Sequence, residues 1–80
     1  MPRNASAYHP VRGYILRETD KAVQMEVHEI SGISAADEDG ENKSEWFPVS
    51  QLKSITRSRG ASEQDEIMAS DWILKAKDLL

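Results

Sequence analysis

The feature that most constrains this chain is an alternation nine residues long. From Ala22 to Ile30, Val23, Met25 and Val27 fall on one side of an extended backbone, and Gln24, Glu26 and His28 fall on the other. Successive side chains of a strand face opposite sides, so period two over this length reads as a half-buried β-strand. The preceding run, Val11, Tyr14, Ile15 and Leu16, is also β-prone and stops at the polar tetrapeptide Glu18-Thr19-Asp20-Lys21. Two such runs joined by four polar residues imply an antiparallel hairpin.

The flanking segments complete the expectation. Residues 1–10, with Pro2 and Pro10 near either end and no apolar period, read as a loose N-terminal arm. Residues 31–44 lose the apolar pattern, carry Gly32 and Gly40, and read as a long exposed acidic loop containing Asp37-Glu38-Asp39-Gly40-Glu41. In Glu45-Trp46-Phe47-Pro48-Val49 two aromatics precede a proline, so this strand is an edge or ends at Pro48, and only one of Trp46 and Phe47 can point inward. Ser50-Gln51-Leu52 reads as a turn into a strand over Lys53–Arg59, and a further loop leads to the short apolar step Ile67-Met68. Ser70 suits a helix N-cap, Asp71 the positive end of the helix dipole, and Lys75 and Lys77 the negative end. The last ten residues are therefore predicted as a short helix with Trp72, Ile73, Ala76, Leu79 and Leu80 on one apolar stripe. The expected fold is α+β, mainly β: one domain over residues 11–80, built as a small bent antiparallel sheet or barrel of four to five strands closed by the C-terminal helix.

Composition narrows the chemistry. Eighty residues leave room for one core, and without cysteine there is no disulfide frame, thiolate nucleophile or sulfur-ligated zinc. No apolar run is long enough to span a membrane. His9 and His28 sit in different segments without a companion at metal-ligand spacing, no base stands beside a serine in a known motif, and the acidic loop lacks the ligand order of an EF-hand. The reading is of a protein with no catalytic residues, no metal and no cofactor.

Two charged features stand out. Asp37, Asp39 and Glu41, with Glu38 between them and Glu45 beyond, would present like charges at regular intervals if the loop were extended, as a nucleic-acid backbone does. Lys53, Arg57 and Arg59 would share one strand face with Ile55, and with Trp46 as a stacking group they could track a nucleic-acid strand. The net charge of −4 thus sums two patches of opposite sign.

The alternating strand with Ala22-Val23, the step Glu45-Trp46-Phe47-Pro48-Val49-Ser50-Gln51 and the closing Ser70-Asp71-Trp72-Ile73-Leu74-Lys75-Ala76-Lys77 resemble a group of short phage and prophage proteins over about Arg17 to Leu80. The segment from Ser31 to Lys43 is longer than that group's hairpin. The resemblance implies a phage-encoded protein acting in the bacterial cytoplasm, and the expected state of the chain is monomer or dimer. It further implies a non-enzymatic inhibitor of a host defence complex, such as an anti-CRISPR protein bound to Cas subunits of a type I surveillance complex. In that reading Asp37, Glu38, Asp39, Glu41 and Glu45 face the partner and block its DNA path. The alternative is a nucleic-acid-binding accessory of phage replication or recombination that uses Lys53, Arg57, Arg59 and Trp46.

Overall fold

The computed structural model describes residues 7–60 and 63–80. The alternation of residues 22–30 is strand β2 (Ala22–Ile30), and it pairs antiparallel with β1 (Tyr8–Glu18) through a turn at residues 19–21. The Thr19 hydroxyl holds that turn by accepting the Lys21 and Ala22 amides at 3.3 and 3.1 Å. Among the described residues four further strands follow, β3 (Ile33–Ser34), β4 (Ser44–Pro48), β5 (Leu52–Thr56) and β6 (Asp65–Ser70), and then helix α1 (Asp71–Ala76).

The order across the sheet is β3-β2-β1-β6-β5, with β4 lying beside β3 along the outer edge of β2. All pairings are antiparallel. Among the described residues β4 pairs only with β2 and β5 only with β6, so the sheet is open and not a barrel. Pro48 closes the edge strand β4, as its lack of an N–H requires, and a 3-10 turn over Val49–Gln51 leads into β5.

The loose arm needs correction where it can be followed. Residues 1–6 lie outside the described residues, but Tyr8, His9 and Pro10 belong to β1 and pair with Ser70, Ala69 and Met68. Proline is tolerated there because the Pro10 carbonyl, which accepts the Ser31 amide at 2.9 Å, faces the end of β2, where the ladder stops at Val11 opposite Ile30. The missing N–H lies on that same side and costs no ladder bond.

One face of the sheet carries the core: Val11, Val23, Met25, Val27, Ile30, Phe47, Ile67 and Ala69, with Ile73 and Leu74 of α1 laid over them. Phe47 is fully buried, opposite Val23, and Trp46 faces outward. The helix is shorter than the predicted ten residues, and its apolar stripe is different. Ser70 caps it, its hydroxyl accepting the Ile73 amide at 3.1 Å and donating to Gln51 at 2.7 Å. Asp78, with φ 62, ends it in a left-handed turn that brings the Leu79 amide back to the Leu74 carbonyl at 2.8 Å. Leu79 thereby reaches the core from outside the helix. Trp72 projects away, 65% exposed, and Leu80 is also exposed.

Candidate functional site: the outer face of the sheet and two charged segments

The acidic segment is a folded turn and not an extended row. One Asp37 carboxylate oxygen accepts the amides of Asp39 and Glu41, both at 2.9 Å, while the Asp37 amide donates to the Glu41 carbonyl at 2.9 Å. Gly40, at φ 79, closes the turn by donating to the Asp37 carbonyl at 3.0 Å. Asp37 is spent on the turn, and Glu38, Asp39 and Glu41 are left as its exposed charges. The segment is also tied down at both ends, because the Ala35 amide donates to the His28 carbonyl and the Val27 amide to the Lys43 carbonyl, each at 2.9 Å. Glu45 stands apart from this group: it lies on β4, half-buried, with Lys77 Nζ at 3.5 Å.

The basic stretch does not form one stripe either. The strand ends at Thr56, and an irregularity between Leu52 and Ser54 breaks the period, so Leu52 and Ile55 both pack on the core while Lys53 is exposed. Lys53 Nζ lies 5.8 Å from the centre of the Tyr8 ring, and Arg57 pairs with Glu18, its Nε donating at 3.1 Å. Arg59 lies past the strand. Trp46 sits on the far edge: β5 and β4 are separated by β6, β1 and β2, four strand spacings of about 4.8 Å, or roughly 19 Å. Lys53, Arg57, Arg59 and Trp46 are therefore not gathered into one groove.

The structure gathers a different set on the outer face of the sheet. The β1–β2 register shifts after Arg12, with Gly13 opposite Val27, and this leaves His28 as an extra residue on β2. The bulge allows Val27 and Ile30, three residues apart, both to enter the core while His28 stays on the outer face. There His28 Nε2–H donates to Glu26 at 2.6 Å, and its ring meets Tyr14 edge-on at 5.0 Å and 88°. Next to them Arg12 Nε donates to Glu66 at 3.1 Å. A shallow groove of about 510 Å³ opens beside these residues, lined by Arg12, Tyr14, Thr56, Glu63, Gln64 and Glu66. Glu26 and His28 were legible as same-face neighbours on a strand. Arg12, Tyr14 and Glu66 were not, because only the register brings three distant segments together.

Asp65 supports this face from within the fold. Burial pushes its carboxyl up, but the amides of Ile15 at 2.8 Å and Ser58 at 2.7 Å outweigh that push, with help from the Ser58 hydroxyl and Arg57, and hold it below its ordinary value. A lowered carboxyl stabilises the fold above the unfolded-chain pKa, and this contribution is lost as pH falls through the folded one. Asp65→Ala is expected to cost about 1–2 kcal/mol near neutrality, a charged hydrogen-bond pair discounted for partial solvent access. In urea titrations the gap between variant and wild type should narrow from about pH 4 downward; a gap independent of pH would contradict the assignment.

A second carboxylate, Asp71 at the start of α1, is held below its ordinary value by hydrogen bonds from Lys75 at 3.0 Å and His9 at 3.0 Å. His9 Nδ1 is also 3.4 Å from the Ser31 hydroxyl, so one side chain of β1 links the helix to the β2–β3 turn. His9 and His28 each have ordinary protein partners, and no group of three or more His, Asp or Glu residues is placed to hold a metal among the described residues. Among the described residues no helix is long and apolar enough to cross a membrane.

No protein-family model, curated protein or solved structure matches this chain.

Proposed function

We propose that this chain is a non-enzymatic binding protein that acts by occupying a basic surface of a partner protein. The observation that carries the proposal is Trp72. Its neighbours Ile73 and Leu74 complete the core, yet Trp72 is left 65% exposed, where its ring is open to contact by a partner. The exposed acids of the turn, Glu38, Asp39 and Glu41, supply the sign of charge that would speed association with a basic surface. The resemblance to phage proteins makes a host defence complex, in particular a type I CRISPR surveillance complex, the partner to try first.

The nucleic-acid accessory reading has less support. Its cations are dispersed, Arg57 is engaged by Glu18, and three strands separate Lys53 from Trp46.

The test is competition with DNA. The wild-type protein should reduce target-DNA binding by a type I complex. The triple reversal of Glu38, Asp39 and Glu41 to lysine, which spares Asp37 and so the turn, should weaken that effect at least tenfold. Equal potency of the two proteins would remove the acidic turn from the site, and no effect of the wild type would remove this partner. Saturable binding of single-stranded DNA by the purified protein, falling steeply with salt, would favour the accessory reading.

A further inference from the structure

We infer that the groove on the outer face of the sheet receives an arginine side chain of the partner. This rests on the protein-binding reading above and adds a second contact point with a stated chemistry. A guanidinium is a planar cation with five donors and no acceptor, so its site needs carboxylate or carbonyl acceptors arranged round a flat face. The lining of the groove supplies both kinds of group. Glu63 and Glu66 bring carboxylates, Gln64 and Thr56 bring neutral oxygens, and Tyr14 brings a ring held edge-on to His28. Arg12 shows that a guanidinium lies against Glu66 here, at 3.1 Å. With two carboxylates and one arginine the groove keeps one negative charge, and Glu63 is exposed at its rim.

The ring and the acids come from different strands. Tyr14 stands on β1, Thr56 ends β5, Glu66 lies on β6, and Glu63 and Gln64 lead into β6, so the sheet register builds the groove. An arginine fits this arrangement better than a lysine, whose ammonium is a compact charge that cannot lie flat on Tyr14 while bonding two acceptors. An oligonucleotide would bring phosphates against Glu63 and Glu66, which is the wrong sign.

The experiment is an NMR titration of the 15N-labelled protein with N-acetyl-arginine amide and N-acetyl-lysine amide at matched ionic strength. The expected result is saturable shifts confined to Arg12, Tyr14, Gln64 and their neighbours, with arginine bound at least threefold tighter than lysine. Glu63→Gln, an exposed substitution, should weaken arginine binding at least threefold without altering the unfolding midpoint, and Tyr14→Leu should abolish the preference over lysine. Equal affinities for the two probes, shifts centred on residues 37–41, or an oligothymidylate perturbing the same residues would overturn the inference. If the reversal of the acidic turn weakens inhibition while these titrations fail, the protein-binding reading stands and only the groove is lost. If the titrations succeed and the inhibition assay fails, the groove stands without its proposed partner.

Discussion

Gly13→Ala is expected to be the most damaging single substitution in the sheet. Where β1 and β2 come together at the bulge, a Cβ on residue 13 would overlap the Glu26 carbonyl oxygen and lie 2.9 Å from the Glu26 carbonyl carbon and 3.2 Å from the His28 nitrogen. All three are backbone atoms, so no rotamer change can relieve the contact. The two central strands would have to separate along a pairing that also aligns Val11 with Ile30 and Ile15 with Met25. The cost should be about 3 kcal/mol or more, in the range reserved for overpacking against backbone, and in a domain of this size each kcal/mol moves the midpoint by roughly 4–8 °C. Thermal unfolding followed by circular dichroism should show either a midpoint lowered by more than about 10 °C or no cooperative transition at all. A near-wild-type midpoint would mean that the strands do not approach each other as described.

The second large effect separates two adjacent aromatics. Phe47 is fully buried against Val23 and under Lys77, whose Nζ is 5.9 Å from the centre of the ring. Phe47→Ala removes a whole ring from a core of about ten side chains and should cost about 3–5 kcal/mol. Trp46 is 40% exposed on the other side of the same strand, so Trp46→Ala should stay within about 1 kcal/mol. Urea midpoints of the two variants, compared at equal m-values, check this. If the order were reversed, β4 would be turned over relative to the core, and with it every residue assigned to the outer face.

This pair also shows how far the sequence could be read. Alternation required that Trp46 and Phe47 point opposite ways, but only the register with β2, Phe47 opposite Val23, decides which one is inside. The same holds across the fold. The hairpin, the edge at Pro48 and the Ser70 cap are local signals carried by side-chain period, a missing N–H and a hydroxyl, and each is found where the residues place it. Bulges have no such signature. The extra residue at His28 and the irregularity at Lys53 change which face the following residues occupy, so Ile30 joins the core and Lys53 leaves the line of Ile55. β6 was visible only as Ile67-Met68, yet it lies between β1 and β5, because a strand's position in a sheet depends on partners distant in sequence. For the candidate sites, counting charges found Glu38, Asp39 and Glu41. It could not show that Asp37 bonds its own turn or that Glu45 and Arg57 have partners of their own.

Lys77 and Lys75 both act at the helix, one toward Glu45 and the other toward Asp71. The Lys77–Glu45 pair ties the end of α1 to β4, the Lys75–Asp71 pair lies within the helix, and the burial of Ile73 and Leu74 fixes the side on which Trp72 is presented. If Trp72 is the anchor, its loss should leave stability almost unchanged, since an exposed side chain contributes little to folding, while partner binding collapses.

The most direct measurement is therefore affinity capture from nuclease-treated bacterial lysate with wild-type protein and with Trp72→Ala, the two matched in unfolding midpoint. The proposed function requires a defined protein partner retained by the wild type after nuclease treatment and reduced at least tenfold by Trp72→Ala. Equal retention by both proteins, or loss of every partner once nucleic acid is digested, would contradict it.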